Sequence, residues 1–274
     1  MPSIKELLKE ASKQIDTISQ CPQKEARILL CYHLKKDINY IFLHENDIVE
    51  NVEEFRKLYK RRVEGEPIEY IIKSVSFYSE EFFIDTGALI PRPETELLID
   101  EVLEITKEIE KKRITIAEIG TGSGIISIIL AKFLKNVKII ATDISKDALK
   151  IAKKNINTFD LKDRIELIEG SYLDGVDTNI DILVSNPPYV ANDFQIEKPL
   201  RYEPREAIFG GVRGDEILKN IITLTKEKNI KYLACEMGYD QKESITKILR
   251  KQKFERFHFY KDLAGLYRGF VAKQ

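Results

Sequence analysis

Apolar side chains recur at helical spacing through the first part of the chain. They stand three or four positions apart, the period of an amphipathic helix, in three segments: 4–18, 23–34 and 51–63. Ser3 with Glu6 matches the capping-box pattern of a helix start, and Glu54 is the corresponding partner near Asn51. The spacing therefore predicts a small helical domain over 1–67.

The pattern changes between 68 and 90, where β-branched and aromatic residues cluster on both sides of Ser79-Glu80-Glu81. Such clusters are typical of strands, and the polar segment between them can turn the chain. We therefore predict a β-hairpin over 68–90 that connects two domains.

Strand and helix patterns alternate from residue 91 onward, beginning with an amphipathic helix over 94–111. Seven apolar runs predict strands: 114–119, 137–143, 165–169, 180–185, 231–236, 254–260 and 265–272. Alternation with helices indicates a parallel sheet covered on both faces. The last two strands lie too close for a helical crossover, so we expect a hairpin. The predicted fold class is α/β: a Rossmann-like mixed sheet of seven strands, its last strand antiparallel, over 91–274.

Composition and charge disfavour some classes of binding partner for such a protein. The 274 residues are 43% apolar and 32% charged, with a net charge of −1, which is typical of a soluble globular protein. Proteins that grip long nucleic acid usually carry a positive excess, so we expect no stable nucleic-acid binding. No run approaches a membrane span and no signal-peptide pattern begins the chain. We expect no metal site, because the three cysteines are scattered. We also expect a cytoplasmic location and a monomeric state.

A glycine-rich turn follows the first strand of the predicted sheet. Glycines let the backbone approach a ligand there, and the next helix exposes N–H groups at its start. The turn and the carboxylate before it comprise Glu118, Gly120, Thr121, Gly122, Ser123 and Gly124. Glu118 can meet the positively charged amino-acid end of S-adenosyl-L-methionine. Asp143, after the second strand, can bind both ribose hydroxyls.

Two alternatives stay open for this turn. An Asp at this position serves NAD equally well, although dinucleotide sites favour Gly-x-Gly-x-x-Gly and the third glycine here comes one residue early. Ser171 and Tyr172 follow the third strand, where adenine is expected. Tyr172 can stack on the base and Ser171 can bond its edge, or the two residues form a simple surface turn.

The sequence Asn186-Pro187-Pro188-Tyr189 follows the fourth strand, at the sheet edge where ligands bind in open α/β folds. The Asn186 side-chain oxygen and the Pro187 carbonyl can accept both hydrogens of an NH₂ group, and proline adds no competing donor. Tyr189 offers a flat face, and Asn186 also adjoins the cofactor. Together with the glycine turn, this motif predicts methyl transfer from S-adenosyl-L-methionine to a planar amide or amine nitrogen.

Two other functions are compatible with these motifs. The Asn-Pro-Pro-Tyr ledge can present the exocyclic amine of adenine or another base, so a nucleic-acid methyltransferase is the main alternative. A regulator that only binds the cofactor is the second alternative. Near-zero net charge disfavours the first, and acceptors aimed at the methyl group disfavour the second.

Over its whole length the chain resembles the protein-glutamine methyltransferases that modify class-1 peptide chain release factors. Besides the cofactor and acceptor motifs, the resemblance rests on five further segments: Arg61-Arg62 through Ile71, Ile90 through Glu96, Tyr202 through Gly214, Glu236 through Gln241, and Asp262 through Phe270. The chain looks less usual at Phe209 and at Val212-Arg213.

The resemblance implies a class I methyltransferase fold with S-adenosyl-L-homocysteine as the product. It implies that the acceptor is the glutamine of the release factor's Gly-Gly-Gln motif, whose methylation modulates translation termination. It also implies that Arg92 and Pro93 line the substrate pocket, and that the helical domain and hairpin help to dock the partner. Five basic residues within 56–62 offer a docking face, or they simply solvate a helix.

Overall fold

The structure is a computed structural model that describes residues 1–274. The chain divides into two compact units. The helical unit comprises 1–74 together with 197–202, and the sheet unit comprises 75–196 and 203–274. The boundary thus lies at 74 rather than at 67, and the return of 197–202 to the first unit is not predicted by the sequence.

Five helices and one 3-10 turn form the helical unit: α1 (Ile4–Ile15), α2 (Pro22–Leu34), α3 (Ile38–Leu43), α4 (Val52–Val63), α5 (Ile68–Ile72) and the turn Pro199–Tyr202. The apolar faces of the helices form one buried core that includes Leu7, Leu29 and Phe55. The Ser3–Glu6 capping box is present at the start of α1. Each helix therefore gains most of its stability from tertiary packing, as short helices must.

Two predicted details of this unit are wrong. Asn51 makes no capping hydrogen bond at the start of α4, because its backbone is left-handed with φ of 54°. Residues 68–72 form helix α5 rather than a strand, since Tyr70 and Ile71 are buried and the N–H of Ile71 bonds to the carbonyl of Pro67. A short apolar run does not distinguish a strand from a buried helical turn.

The sheet unit holds the remaining elements, except for Ser74, the first residue of β1, which belongs to the helical unit. The strands are β1 (Ser74–Phe77), β2 (Glu80–Phe83), β3 (Ile114–Ile119), β4 (Val137–Asp143), β5 (Ile165–Glu169), β6 (Ile182–Ser185), β7 (Val190–Ala191), β8 (Phe209–Gly211), β9 (Tyr232–Glu236), β10 (Arg256–Lys261) and β11 (Tyr267–Lys273). The helices are α6 (Thr95–Lys107), α7 (Ile125–Phe133), α8 (Lys146–Thr158), α9 (Glu216–Glu227) and α10 (Lys242–Lys251), with a 3-10 turn at Arg205–Ala207.

Seven strands form the main sheet in the order β10-β11-β9-β6-β3-β4-β5. The pairs from β9 to β5 are parallel, whereas β11 is antiparallel to both β9 and β10. This arrangement confirms the predicted α/β fold with its antiparallel last strand. Within the predicted hairpin range 68–90, β1 and β2 form a separate two-stranded sheet that is shorter than the range. Its role as a linker stays a prediction.

Strand register places the two predicted motifs side by side. Ile119 at the end of β3 pairs with Ser185 at the end of β6, and the Ser185 hydroxyl donates to the carbonyl of Ile119 at 2.7 Å. Gly120 and Asn186 are the next residues of the two strands. The glycine turn and the Asn-Pro-Pro-Tyr ledge therefore leave the sheet from adjacent positions.

Asn155 of α8 joins the hairpin to the glycine turn. It is 1% exposed, and its Nδ2 donates to the carbonyls of Phe83 and Ser123, both at 2.9 Å. Its Oδ1 accepts from the N–H of Phe83 at 2.9 Å. One amide thus satisfies three backbone groups from two separate segments, which is expensive to remove because buried polar groups need partners.

We expect Asn155→Ala to lower the free energy of unfolding by about 2 kcal/mol or more, because it leaves three backbone groups unpaired. Asn157→Ala, in the same helix but exposed, serves as the control and should change stability by about 0.5 kcal/mol or less. Urea unfolding measures both values. Equal effects of the two substitutions would contradict the bridging role of Asn155.

Candidate functional site

A cavity in the sheet unit lies at the carboxyl ends of β3, β4, β5 and β6. Its lining includes nine residues that the sequence predicts for cofactor or substrate: Gly120, Gly122, Ser123, Asp143, Ser171, Tyr172, Asn186, Pro187 and Pro188. It does not include six others that were predicted: Glu118, Thr121, Gly124, Tyr189, Arg92 and Pro93. The parallel strands therefore bring most of the two motifs to one cavity.

The glycines of the turn have two different tasks. Gly120 and Gly122 have φ of +71° and +56°, and a Cβ on either would meet no atom within 4 Å. Their backbone thus borders open space in a conformation that favours glycine. A Cβ on Gly124 would lie 3.1 Å from the Cβ of Ala152. Gly124 therefore serves the close approach of α7 and α8 rather than lining the cavity.

Glu118 is fully buried, and the next two residues in the sequence, Ile119 and Gly120, line the cavity. Its Oε2 accepts from the hydroxyl of Thr121 at 2.9 Å and from that of Ser127, whereas Oε1 has no hydrogen-bond partner. Burial raises the pKa of this carboxyl to about 7, against the lowering effect of those hydroxyls. An unpartnered carboxylate oxygen in such a place is suited to a cationic ligand group.

Asp143 ends β4 and lines the cavity. Its two oxygens accept from the N–H of Ser145 at 2.9 Å and of Gly122 at 2.8 Å. Burial raises the pKa of Asp143, against these backbone bonds. A carboxylate has about four acceptor positions, so this side chain is held rigidly by the backbone and still has capacity for ligand hydroxyls.

The segment after β5 also faces the cavity through Ser171 and Tyr172. The carbonyl of Tyr172 accepts from the hydroxyl of Thr142 at 2.6 Å, and its phenol oxygen accepts from Asn220 at 3.0 Å. The residue is therefore held at both its backbone and its ring. Its stacking role on a base stays a prediction.

Asn186 begins the ledge after β6. Its Nδ2 donates to the hydroxyl of Thr95 at 3.1 Å, and Thr95 in turn donates to Glu236 at 2.7 Å. Neither Oδ1 of Asn186 nor the carbonyl of Pro187 accepts a hydrogen bond from the protein. The ledge thus holds two adjacent acceptors without protein partners, and the NH₂ group of Asn186 is engaged by Thr95. Their contact with a substrate amide stays a prediction.

The hydroxyl and the carbonyl of Tyr189 are both engaged in hydrogen bonds with other residues of the protein. Its hydroxyl donates to Glu236 at 3.0 Å, and its carbonyl accepts from Gln241 at 2.9 Å. Burial and the nearby carboxylate raise its pKa far above the usual value of tyrosine. Tyr189 anchors the ledge in this structure, and a flat face for the substrate stays a prediction.

Arg92 and Pro93 occupy the rim rather than the lining. Arg92 forms an ion pair with Glu203, a buried carboxylate that also accepts from the N–H of Ile90 at 3.0 Å. Pro91 and Pro204, the neighbours of this pair in the chain, do line the cavity. The ion pair therefore shapes the rim by joining two segments that are distant in sequence, and substrate contact by Arg92 and exposed Pro93 stays a prediction.

Thr95, Glu203 and Glu236 are the functional candidates that the sequence interpretation missed as site residues. All three are polar and no more than 6% exposed. Glu236 ends a strand whose every residue is buried, and Glu118 is a buried charge near the end of β3. A charged residue at the end of an apolar run was the available signal.

No group of three or more His, Cys, Asp and Glu side chains in the structure is arranged to hold a metal ion. Nor is any helix long and apolar enough to cross a membrane.

Both units of the chain resemble known protein domains. The profile described as "Methyltransferase small domain" matches 93–200, and that described as "PrmC N-terminal domain" matches 6–72. The catalytic domain of hMettl16, solved with a MAT2A 3'UTR hairpin, superposes with a TM-score of 0.59 at 20% identity, covering 70% of this chain and 74% of that one. The sheet unit is thus a class I methyltransferase fold.

Relatives at higher identity show the family. A release factor glutamine methyltransferase of Coxiella burnetii is 36% identical over the full length of both chains. One of Dictyoglomus turgidum is 41% identical over 77% of this chain and 76% of its own. The chain belongs to the release factor glutamine methyltransferase family. It spans about half the length of the bifunctional methyltransferases it also matches, such as that of Rickettsia conorii, which is 34% identical over 96% of this chain and 56% of its own.

The residues of the cavity fit S-adenosyl-L-methionine, the methyl donor of this class. Glu118 does not itself line the cavity, but it lies two residues before cavity-lining Gly120, and its unpartnered Oε1 suits an ammonium group. The open backbone at Gly120 and Gly122 leaves room for a ligand. Asp143 keeps acceptor capacity for ribose hydroxyls. The Gly-x-Gly-x-Gly spacing and the family together decide against the NAD alternative.

We expect cofactor affinity to fall as pH is lowered through about 7, because protonation removes the negative charge of Glu118. Glu118→Gln should weaken binding about tenfold, a loss of about 1.4 kcal/mol, and should abolish this pH dependence. Titration calorimetry between pH 6 and pH 8 measures both effects.

The control is Glu169→Gln, an exposed carboxylate at the end of β5. Its affinity should keep the pH dependence of the parent protein. If Glu118→Gln bound as tightly as the control at every pH, the ammonium contact would be contradicted.

Proposed function

We propose that this protein transfers the methyl group of S-adenosyl-L-methionine to the side-chain amide nitrogen of the glutamine in the Gly-Gly-Gln motif of class-1 peptide chain release factors. The proposal is carried by the ledge, where Oδ1 of Asn186 and the carbonyl of Pro187 are free acceptors in the lining of the cofactor cavity. Two such acceptors match the two hydrogens of a carboxamide. Family membership supplies the substrate.

The chemical task of the ledge follows from the nature of the acceptor. An amide nitrogen is a poor nucleophile because its lone pair is delocalised into the carbonyl. Asn186 and Pro187 hold both N–H bonds, so they orient the nitrogen and favour a more pyramidal geometry. When bound, S-adenosyl-L-methionine supplies an electrophilic methyl group on a sulfonium. Most of the rate enhancement then comes from positioning in a largely buried site.

No strong base is required of this site. The nitrogen becomes acidic once it is alkylated, so its proton can leave to water. Neither of the two buried carboxylates, Glu118 and Glu236, lines the cavity, and each accepts hydrogen bonds from neighbouring hydroxyls, although Oε1 of Glu118 has no partner. Their geometry supports binding and orientation rather than proton abstraction.

The basic run in α4 offers less free charge than its sequence indicates. Arg56 pairs with Glu10, Lys57 with Glu54, Arg61 with Glu66 and Arg62 with Glu25, each at 2.6 or 2.7 Å. Arg62 is itself buried, and the three more exposed pairs contribute little stability. Together the four pairs neutralise the positive charge of this segment. Lys60 alone in this run forms no ion pair in the structure. The alternative of a structural, solvated helix therefore fits this segment better than a docking face.

A different surface of the helical unit combines unpaired positive charge with exposed apolar area. We call it the α2 groove, and it is lined by Lys24, Arg27, Tyr32, Lys35, Lys36, Ile38 and Phe42, among others. Tyr32, Ile38 and Phe42 are 45%, 41% and 51% exposed. None of the four basic side chains has a carboxylate partner, and Arg27 lies over the ring of Phe42 at 5.1 Å.

We infer that the α2 groove docks an acidic segment of the release factor that carries apolar side chains. Exposed apolar residues beside charged groups are typical of protein interaction sites. The one acidic side chain in the lining, Glu54, is paired with Lys57, so the unpaired charge of the groove is positive. Because the unpaired charges of the groove are positive, the partner segment must be negative. The attraction between them would also speed association. A cytoplasmic location and a monomeric state stay predictions.

Charge reversal in the α2 groove tests the docking proposal. Lys24→Glu with Arg27→Glu should raise KM for full-length release factor about tenfold and leave kcat nearly unchanged. A short peptide that contains the Gly-Gly-Gln motif lacks the proposed acidic docking segment, so its KM should not change. Lys60→Glu, exposed on α4, is the control. An equal rise for the control, or for the short peptide, would exclude the groove as the docking site.

Methyl transfer itself is tested with purified release factor, DNA and tRNA as competing acceptors of a labelled methyl group. We expect label only in the release factor, and mass spectrometry should place one added methyl group on the glutamine. Label confined to nucleic acid would establish the exocyclic-amine alternative instead.

In the same assay, Asn186→Ala should lower turnover by a factor of about 10² because one of two acceptors is lost. Cofactor binding, measured by calorimetry, should persist. Asn179→Ala, an exposed residue of the same unit, should match the parent protein. Unchanged turnover of Asn186→Ala would show that the acceptor site lies elsewhere.

A further inference from the structure

A buried chain of hydrogen bonds runs behind the ledge. It begins at Nδ2 of Asn186, passes through the hydroxyl of Thr95 at 3.1 Å, and reaches Oε2 of Glu236 at 2.7 Å. The other oxygen of Glu236 accepts from the hydroxyl of Tyr189 at 3.0 Å. Thr95 and Glu236 are 3% and 1% exposed, so water cannot readily replace any of these partners.

Register and a helix start create this arrangement. Ser185 at the end of β6 pairs with Cys235 of the parallel strand β9. Asn186 and Glu236 are therefore the next residues of two adjacent strands. Thr95, the first residue of α6, brings its hydroxyl between them. The chain of bonds thus depends on three segments that are far apart in sequence.

The donors in this series of hydrogen bonds allow only one orientation of the Asn186 amide. A hydroxyl has a single proton, and Thr95 donates that proton to the carboxylate. Thr95 can then only accept from Asn186, which requires the NH₂ group of the amide on that side. Oδ1 must consequently face away from Thr95. An amide that rotated by half a turn would set two acceptors against each other.

We propose that Glu236, acting through Thr95, is a positioning residue that fixes the amide of Asn186 with Oδ1 presented to the acceptor nitrogen. This inference rests on the proposed function, since it assigns a role to the acceptor oxygen. In the reversed orientation Asn186 would offer NH₂ to the NH₂ of the substrate, which repels it. Glu236 thereby ensures that the ledge carries acceptors alone.

Several charged and titratable groups surround Glu236. Glu94 disfavours and Arg268 favours its ionised form, whereas Tyr189, Tyr260 and Cys235 keep their protons because burial raises their pKa values. Burial of Glu236 raises its pKa to about 7, against the hydroxyl bonds from Thr95 and Tyr189. When Glu236 takes up a proton, one of its two hydroxyl donors must reverse or lose its bond. The positioning is therefore strongest above about pH 7.

Removal of the relay hydroxyl gives the first test. Thr95→Val keeps the shape of the side chain, frees the amide of Asn186 and should lower kcat about tenfold at saturating cofactor and release factor. The dissociation constant of the cofactor should change by less than about twofold. Thr95→Ser restores the hydroxyl and should restore kcat. Thr225→Val removes an equally buried hydroxyl that bonds to Ile221 and serves as the matched control.

A Glu236→Gln variant gives the second test. Glutamine offers only one acceptor oxygen where both hydroxyls need one, and its NH₂ favours the reversed amide. The variant should therefore lose kcat, and it should also lose the rise of kcat with pH that we expect of the parent protein through about pH 7. Saturating cofactor removes the separate pH effect of Glu118, which acts on cofactor binding.

The outcomes separate this inference from the proposed function. If the parent protein transfers no methyl group to release factor, the proposed function fails. If it does so and Thr95→Val matches Thr225→Val in kcat, the positioning role is overturned. The positioning role is equally overturned if Thr95→Ser fails to restore kcat, or if Glu236→Gln keeps the parent pH profile.

Discussion

The register of three parallel strands is the constraint on which the site depends. Ile119 pairs with Ser185, and Ser185 pairs with Cys235. The residues that follow these positions are the glycine turn, Asn186 and Glu236. A shift of one residue would turn each side chain to the opposite face of the sheet. Backbone hydrogen bonds in the core therefore set the relative positions of cofactor turn, acceptor ledge and orienting carboxylate.

Two buried glutamates on the strands that flank β6 show how the fold uses desolvation. Glu118 and Glu236 both have a pKa raised to about 7 by burial, and both are restrained by hydroxyl donors. Their surroundings differ in one respect, because Oε1 of Glu118 lacks a partner and both oxygens of Glu236 are occupied. The first is therefore suited to an external cation, and the second to orienting an internal hydrogen-bond chain.

Much of this arrangement could be predicted, because apolar runs in the sequence show where strands end. Apolar runs located β3, β4 and β6, and Gly120, Asp143 and Asn186 at their carboxyl ends line one cavity. Helix α5 was mistaken for a strand, since so short a segment has no decisive period. The pairs Thr95–Glu236 and Arg92–Glu203 could not be predicted, because each joins residues that are distant in sequence and depends on the packing of α6 and the rim.

The central claim is that a glutamine amide from another polypeptide rests on the ledge beside the methyl donor. A crystal structure with S-adenosyl-L-homocysteine and a Gly-Gly-Gln peptide tests it most directly. We predict the glutamine nitrogen within hydrogen-bonding distance of both Oδ1 of Asn186 and the carbonyl of Pro187. A glutamine bound elsewhere, or a ledge turned away from the sulfur of the bound product, would contradict the account.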